Sequence, residues 1–334
     1  MEKTTTTKRT SNRRGATTAA VSAAAGITGV LLAAWVIYGT VTIDPFRWGV
    51  FAEELIVALC ALFALRLLCV IRLPKWVSLA CILALPAAIA LYGALSLPED
   101  ALSFLRALLL AAAVAFSLLL AHQLDTKPDG VLLAALLCAV CLPVLLSANT
   151  RLLDELMRAL LMAGVFMVVL AVRQKTVILA YISSVAFALA GAASLLPAFA
   201  GFGAGLGALL LSPKRKRGGW AFAMALMSTL PVAVWFLSRA LLPAESPLMT
   251  INPLAAGEFA LVIQTHLMRA LALGLFAMSV RFFFAREDAA IPALFALACF
   301  AAARLLPLEA KPDVWIDALL LSALAGVGVA KIAR

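Results

Sequence analysis

Charge is scarce in this chain. Asp, Glu, Lys and Arg make up 13% of its 334 residues, about half the share of a soluble globular domain. That shortage, beside so many apolar residues, excludes intrinsic disorder. Cysteine is sparse, and Cys60, Cys69, Cys81, Cys138, Cys141 and Cys299 all fall in apolar stretches. A disulfide framework would put them in loops, so they read as small buried hydrophobes. Cys138 and Cys141 form a C-x-x-C with no second thiol pair and no nearby His, so no metal site is expected and no cofactor is implied. A G-x-x-x-x-G-K-[ST] loop is missing, which argues against ATP hydrolysis by this chain. Long polar connections are missing too: the longest, residues 243–256, leaves no room for a soluble domain.

What is present is apolar. The hydrophobic set supplies 65% of the residues, and the mean hydropathy is +1.07. A chain of that composition needs lipid as solvent. About twenty apolar residues at ~1.5 Å each cover a hydrocarbon core of ~30 Å. On that length the candidate spans are 19–41, 49–71, 76–95, 101–121, 131–147, 153–172, 177–196, 198–212, 220–242, 257–284, 289–306 and 314–332. Their apolar runs are continuous, without the alternation of a membrane barrel. The expected fold is an all-α, polytopic transmembrane helical bundle of about twelve spans. Residues 1–18 form a basic cytoplasmic tail, and 19–334 a single multi-pass membrane domain.

Lysine and arginine orient the bundle. With the N-terminus in the cytoplasm and every segment crossing, eighteen basic residues fall in cytoplasmic stretches; only Arg47, Arg151 and Lys311 fall in outer connections. Both termini are then cytoplasmic, in a plasma membrane of the bacterial inner-membrane type. The first span is too long for the h-region of a cleaved signal peptide. The weakest crossing is 198–212, bracketed by Pro197 and Pro213. Without it the chain has eleven or ten spans, and the Lys214, Arg215, Lys216, Arg217 cluster moves outside. Its G-F-G-A-G-L-G run follows no strand, so it reads as small residues for close helix approach, not as a dinucleotide loop. Pro86, Pro143 and Pro231 lie inside spans and are expected to kink them.

Ionisable groups inside spans cost ~2.5–3.5 kcal/mol each at mid-bilayer and therefore need partners or water. In this topology twelve of the 17 acids lie in the outer half, mixed with arginines. An acid followed by Arg-Ala-Leu recurs: Asp100 before Arg106, Asp154 and Glu155 before Arg158, Glu258 before Arg269. Residues 105–121, 157–172 and 268–280 echo one another around it. Asp154 to Arg158 and Arg151 to Glu155 are spaced i,i+4 and are expected to pair on one helix surface. Arginines near span ends, Arg106 among them, are expected to snorkel or pair locally. On the tenth span Glu258, Thr265 and Arg269 fall within ~40° of one another, with His266 beside them, a polar stripe suited to a bundle interior. Glu53 and Glu54 open the second span as adjacent carboxylates.

Three functions fit. The favoured one is a small transporter or flippase with an outward-facing polar cavity. Its arginines Arg269, Arg158 and Arg106 would meet an anionic or lipid-linked substrate, and Glu258, Glu53, Glu54 and Asp154 would balance charge or couple protons. The second is a membrane-embedded transferase acting on a lipid-linked substrate at the outer face, with Asp44 or Glu53-Glu54 as base. The third is a non-catalytic membrane subunit that docks a cytoplasmic partner through Lys214, Arg215, Lys216 and Arg217. No nucleic-acid motif accompanies the basic tail. A reporter active only in the cytoplasm is expected to be active when fused at Gly218 or after Arg334 and silent within 243–256; the opposite pattern refutes the orientation.

Overall fold

In lipid the backbone has no water to bond, so each apolar segment must satisfy its own N–H and C=O groups, and helices result. The computed structural model describes residues 19–37, 73–96, 101–147, 149–243, 245–253, 259–285, 288–303 and 316–334. These form helices α1 (Ala19–Ile37), α2 (Trp76–Ser96), α3 (Ala101–Leu124), α4 (Pro128–Ser147) and α5 (Leu152–Gln174), followed by α6 (Ile178–Ala190), α7 (Leu196–Leu211) and α8 (Arg217–Leu241). The last three are α9 (Phe259–Ala285), α10 (Ile291–Ala303) and α11 (Ile316–Ala333). A short antiparallel ribbon pairs β1 (Asn149–Arg151) with β2 (Ile251–Pro253), setting Thr150 opposite Asn252 and Arg151 opposite Ile251.

Each described helix coincides with one expected span, while the expected span 49–71 lies outside the described residues. Six helices are long and apolar enough to cross a membrane: α1 to α5, and the segment Lys214–Leu241 that contains α8. The other five have apolar stretches of 10–17 residues. The expected span 177–196 is shorter than its sequence suggested, because α6 ends at Ala190. There Gly191 turns the chain with its N–H on Phe187 O and Ala188 O, Ser194 Oγ accepts the Leu196 N–H, and Pro197 opens α7. Pro86, Pro143 and Pro231 lie within α2, α4 and α8.

The outward faces are apolar. Leu95 of α2 is 73% exposed, Ile178 of α6 71% and Phe284 of α9 82%, each in a row of exposed Leu, Ile, Val or Phe. Water would oppose so much uncovered apolar area, and lipid does not. Inside, α5 packs on α3 and α6, α7 lies between α8 and α10, and α11 packs on α9, α4 and α3. Glycines set these approaches. A Cβ on Gly201 or Gly205 would strike Met227 or Met224 of α8, and one on Gly203 or Gly207 would strike Phe295 or Pro292 of α10. The alternate glycines thus serve two neighbours, which is the close helix approach read from the sequence. Pro231 has no N–H for Met227 O, and Gly201 packs against that carbonyl. Gly326 meets Ala134 of α4 in the same way, and Gly328 meets Met278 of α9. Among the described residues Cys81, Cys138, Cys141 and Cys299 form no disulfide. Cys138 and Cys141 are buried beside Ser117 and Ser322, at 3.6 and 3.5 Å.

Hydrogen bonds between connections define two ends. At one end Arg173 reaches Gln123, Lys216 Nζ donates to Lys175 O (2.7 Å), Lys331 Nζ donates to Leu124 O (3.0 Å), and Arg334 pairs with Asp125 and Asp129. At the other end Arg106 and Leu153 bond to the connection after α8, and Ser238 Oγ donates to Ala192 O (2.9 Å). Among the described residues the first end carries Arg173, Lys175, Lys216, Lys331 and Arg334.

Gly203→Leu is expected to destabilise the protein by about 1–3 kcal/mol, because the new side chain meets the Phe295 backbone and Cys299 Sγ at 2.9 Å. Gly218→Ala, where a Cβ meets nothing within 4 Å, should leave stability unchanged or raise it. Thermal unfolding in detergent compares the two.

Candidate functional site

The start of α5 carries its acids in the first turn, where the helix dipole favours negative charge. Arg151 occupies the N-cap with extended backbone (φ −76°, ψ 157°), so its side chain leaves the helix and turns back. Asp154, three residues on, accepts the Arg151 backbone N–H at 3.0 Å and the guanidinium at 3.0 and 2.9 Å. The next acid faces inward. Glu155 Oε1 accepts from Thr150 Oγ1 at 2.8 Å, and Glu155 Oε2 accepts from Arg158 Nη1 at 2.5 Å.

The pairs are therefore Arg151–Asp154 and Glu155–Arg158, both i,i+3, where the i,i+4 pairs Arg151–Glu155 and Asp154–Arg158 were expected. The reason is the N-cap. An extended Arg151 lies off the helical spiral and meets Asp154 first, which leaves Glu155 to Arg158 and to Thr150 of the ribbon. Arg158 and Glu155 are wholly buried (0% exposed), and Thr150, Asp154 and Arg106 are nearly so. Arg106 does not snorkel: it is 2% exposed, and its Nη2 donates to Thr250 O at 3.3 Å.

The segment 246–253 covers this end of the bundle. Leu248 O accepts from Leu153 N at 3.4 Å, Met249 Sδ lies 3.9 Å from Arg151 Nη1, and Ile251–Pro253 pairs with β1. From the α6–α7 turn, buried Ser194 donates to Met157 Sδ at 3.4 Å, beside Arg158 in the chain. Among the described residues the cluster holds the guanidinium groups of Arg106, Arg151 and Arg158 and the carboxylates of Asp154 and Glu155. Arg158 is not saturated: its Nε and Nη2 are buried and make no hydrogen bond among the described residues. No group of three His, Cys, Asp or Glu side chains suited to a metal occurs among the described residues.

Of the residues singled out in the sequence, Arg158, Asp154 and Arg106 thus share one end of the bundle. Thr265, His266 and Arg269 fall on α9 by backbone, with side chains outside the described residues; Glu53, Glu54 and Glu258 lie wholly outside them. Lys214, Arg215 and Lys216 form an exposed 3-10 turn, and exposed Arg217 starts α8. Sequence reasoning did not select Glu155, Thr150 and Thr250 for the site. Glu155 had a legible signal, the Glu-x-x-Arg spacing; the threonines become partners only through the ribbon. Arg239 is exposed and sits over the Trp235 ring at 5.9 Å. No protein family, curated protein or solved structure matches this chain.

Removing one member of a buried pair strands the other charge, at about 3–5 kcal/mol. Glu155→Leu is expected to lose that much, and the double substitution Glu155→Leu with Arg158→Met to lose much less. A double-mutant cycle on detergent unfolding reads the difference, and additive losses would show that the two groups do not depend on each other.

Proposed function

We propose that this chain is a small transporter or flippase that moves an anionic or lipid-linked substrate across the membrane. In this reading twelve segments cross, and both termini and the Lys214–Arg217 turn lie on the cytoplasmic side of a plasma membrane. The substrate is taken at the opposite end, at the Arg158–Glu155–Asp154–Arg106 cluster beneath residues 246–253.

One observation carries the reading: the Arg158–Glu155 pair is sealed from solvent inside an otherwise apolar helical bundle. A buried ion pair contributes little net stability, since desolvating each ion costs several kcal/mol and apolar residues of similar volume pack as well or better. Charges held at membrane depth are by default functional groups on a substrate or ion path. The unpaired Nε and Nη2 of Arg158 suit an anion. The covering segment suits a gate, which opens the cluster to one side at a time. Glu258, Thr265, His266 and Arg269, with Glu53 and Glu54, are assigned to the same path as charge-balancing or proton-coupling groups.

A second reading draws on the exposed Lys214–Lys216 turn: a membrane subunit that docks an acidic cytoplasmic partner there. The two separate in proteoliposomes. Flipping of a fluorescent phosphatidylglycerol, or uptake of a soluble organic anion, is expected in the wild type and lost in the Glu155→Leu/Arg158→Met protein. It should persist when Lys214, Arg215 and Lys216 become Gln. Movement of either probe at the wild-type rate in the double variant refutes this use of the cluster.

A further inference from the structure

We infer that the unpaired edge of Arg158 is a receptor for a two-oxygen anion, a carboxylate or a phosphodiester-type group held side-on through Nε–H and Nη2–H. This deepens the reading of the cluster as a substrate site and rests on it. A guanidinium presents five N–H donors in a rigid plane. In Arg158, Nη1 is committed to Glu155 Oε2 at 2.5 Å, while Nε and Nη2, both buried, lack acceptors among the described residues. Nε and Nη2 share one edge of the plane, where two N–H bonds run parallel at the spacing of two oxygens on one carboxyl or phosphoryl group.

Glu155 does not fill that edge. Its carboxylate is held between Thr150 Oγ1 at 2.8 Å and Arg158 Nη1, which anchors the guanidinium and leaves Nε and Nη2 without an acceptor among the described residues. Orientation is therefore built in before a ligand arrives, as bidentate recognition requires. A monatomic anion uses the two parallel donors poorly. Lysine, with one compact ammonium, has no such edge.

Binding is read on the full chain in a neutral detergent, with no gradient. Sodium dimethyl phosphate, sodium acetate and sodium chloride are compared at matched ionic strength, and a parallel sample uses micelles doped with phosphatidylglycerol. The melting temperature is expected to rise with acetate, dimethyl phosphate or phosphatidylglycerol above the chloride control. Arg158→Lys, which keeps the charge and loses the edge, should weaken that binding about ten- to a hundredfold. A gain from the soluble probes assigns a free anion, and a gain confined to phosphatidylglycerol assigns a lipid headgroup. No gain from any probe, an equal gain from chloride, or an undiminished gain in Arg158→Lys overturns the receptor. If Arg158→Lys fails to fold, wild-type hydrogen exchange over 150–160 and 246–253 decides: slowing by these probes beyond chloride supports the receptor, and none overturns it. Binding without movement in proteoliposomes refutes the transporter reading and leaves the receptor standing; movement without this binding refutes the receptor alone.

Discussion

A guanidinium and a carboxylate meet in a buried contact within apolar helices, and one end of this bundle is arranged around it. Arg158 and Glu155 have no exposed surface, so neither ion is hydrated and each relies on the other. Thr150 brings the ribbon into the same arrangement by donating to Glu155, and Arg151 with Asp154 closes the turn before it. Through the ribbon the pair is coupled to residues 246–253, some hundred positions away.

The rest of the bundle is built with little polar chemistry. Between helices in lipid the hydrophobic effect gives no drive, so close van der Waals contact has to supply it. The glycines of α7 meet α8 on one face and α10 on the other, and Gly326 and Gly328 do the same for α11. The few polar contacts in that interior are short-range, such as Ser117 Oγ donating to Leu319 O at 2.8 Å. Among the described residues, a cluster of five ionisable side chains at one end departs from this plain packing, and Arg334 with Asp125 and Asp129 does so at the other.

Much of the fold was legible in the residues because the lipid constraint is severe. Continuous apolar runs of about twenty residues, separated by short polar turns, leave helices as the answer, and the described helices fall where those runs do. The ends were less legible. The span expected to reach residue 196 stops at Ala190, where Gly191 and Ser194 make a turn that hydropathy does not register. The site was legible in part. Asp154, Arg158 and Arg106 were recognisable from charge at membrane depth, but their partners were misassigned by ideal helical spacing. Arg151 lies off the spiral, and that shifts both pairs by one residue. Arg106 was read as an interfacial group, yet it turns inward to Thr250 O, a contact across 144 positions that no local pattern encodes.

The amino-acid sequence alone determined the solvent, the helical class and the basic character of one set of connections. Each follows from composition and from spacing along the chain, which act locally. Only the tertiary structure decided which carboxylate meets which arginine, that the connection after α8 covers them, and that Nε and Nη2 of Arg158 are buried without a partner among the described residues. Those outcomes depend on where a cap residue points and on a two-strand ribbon between distant segments, and such long-range geometry leaves no mark on periodicity.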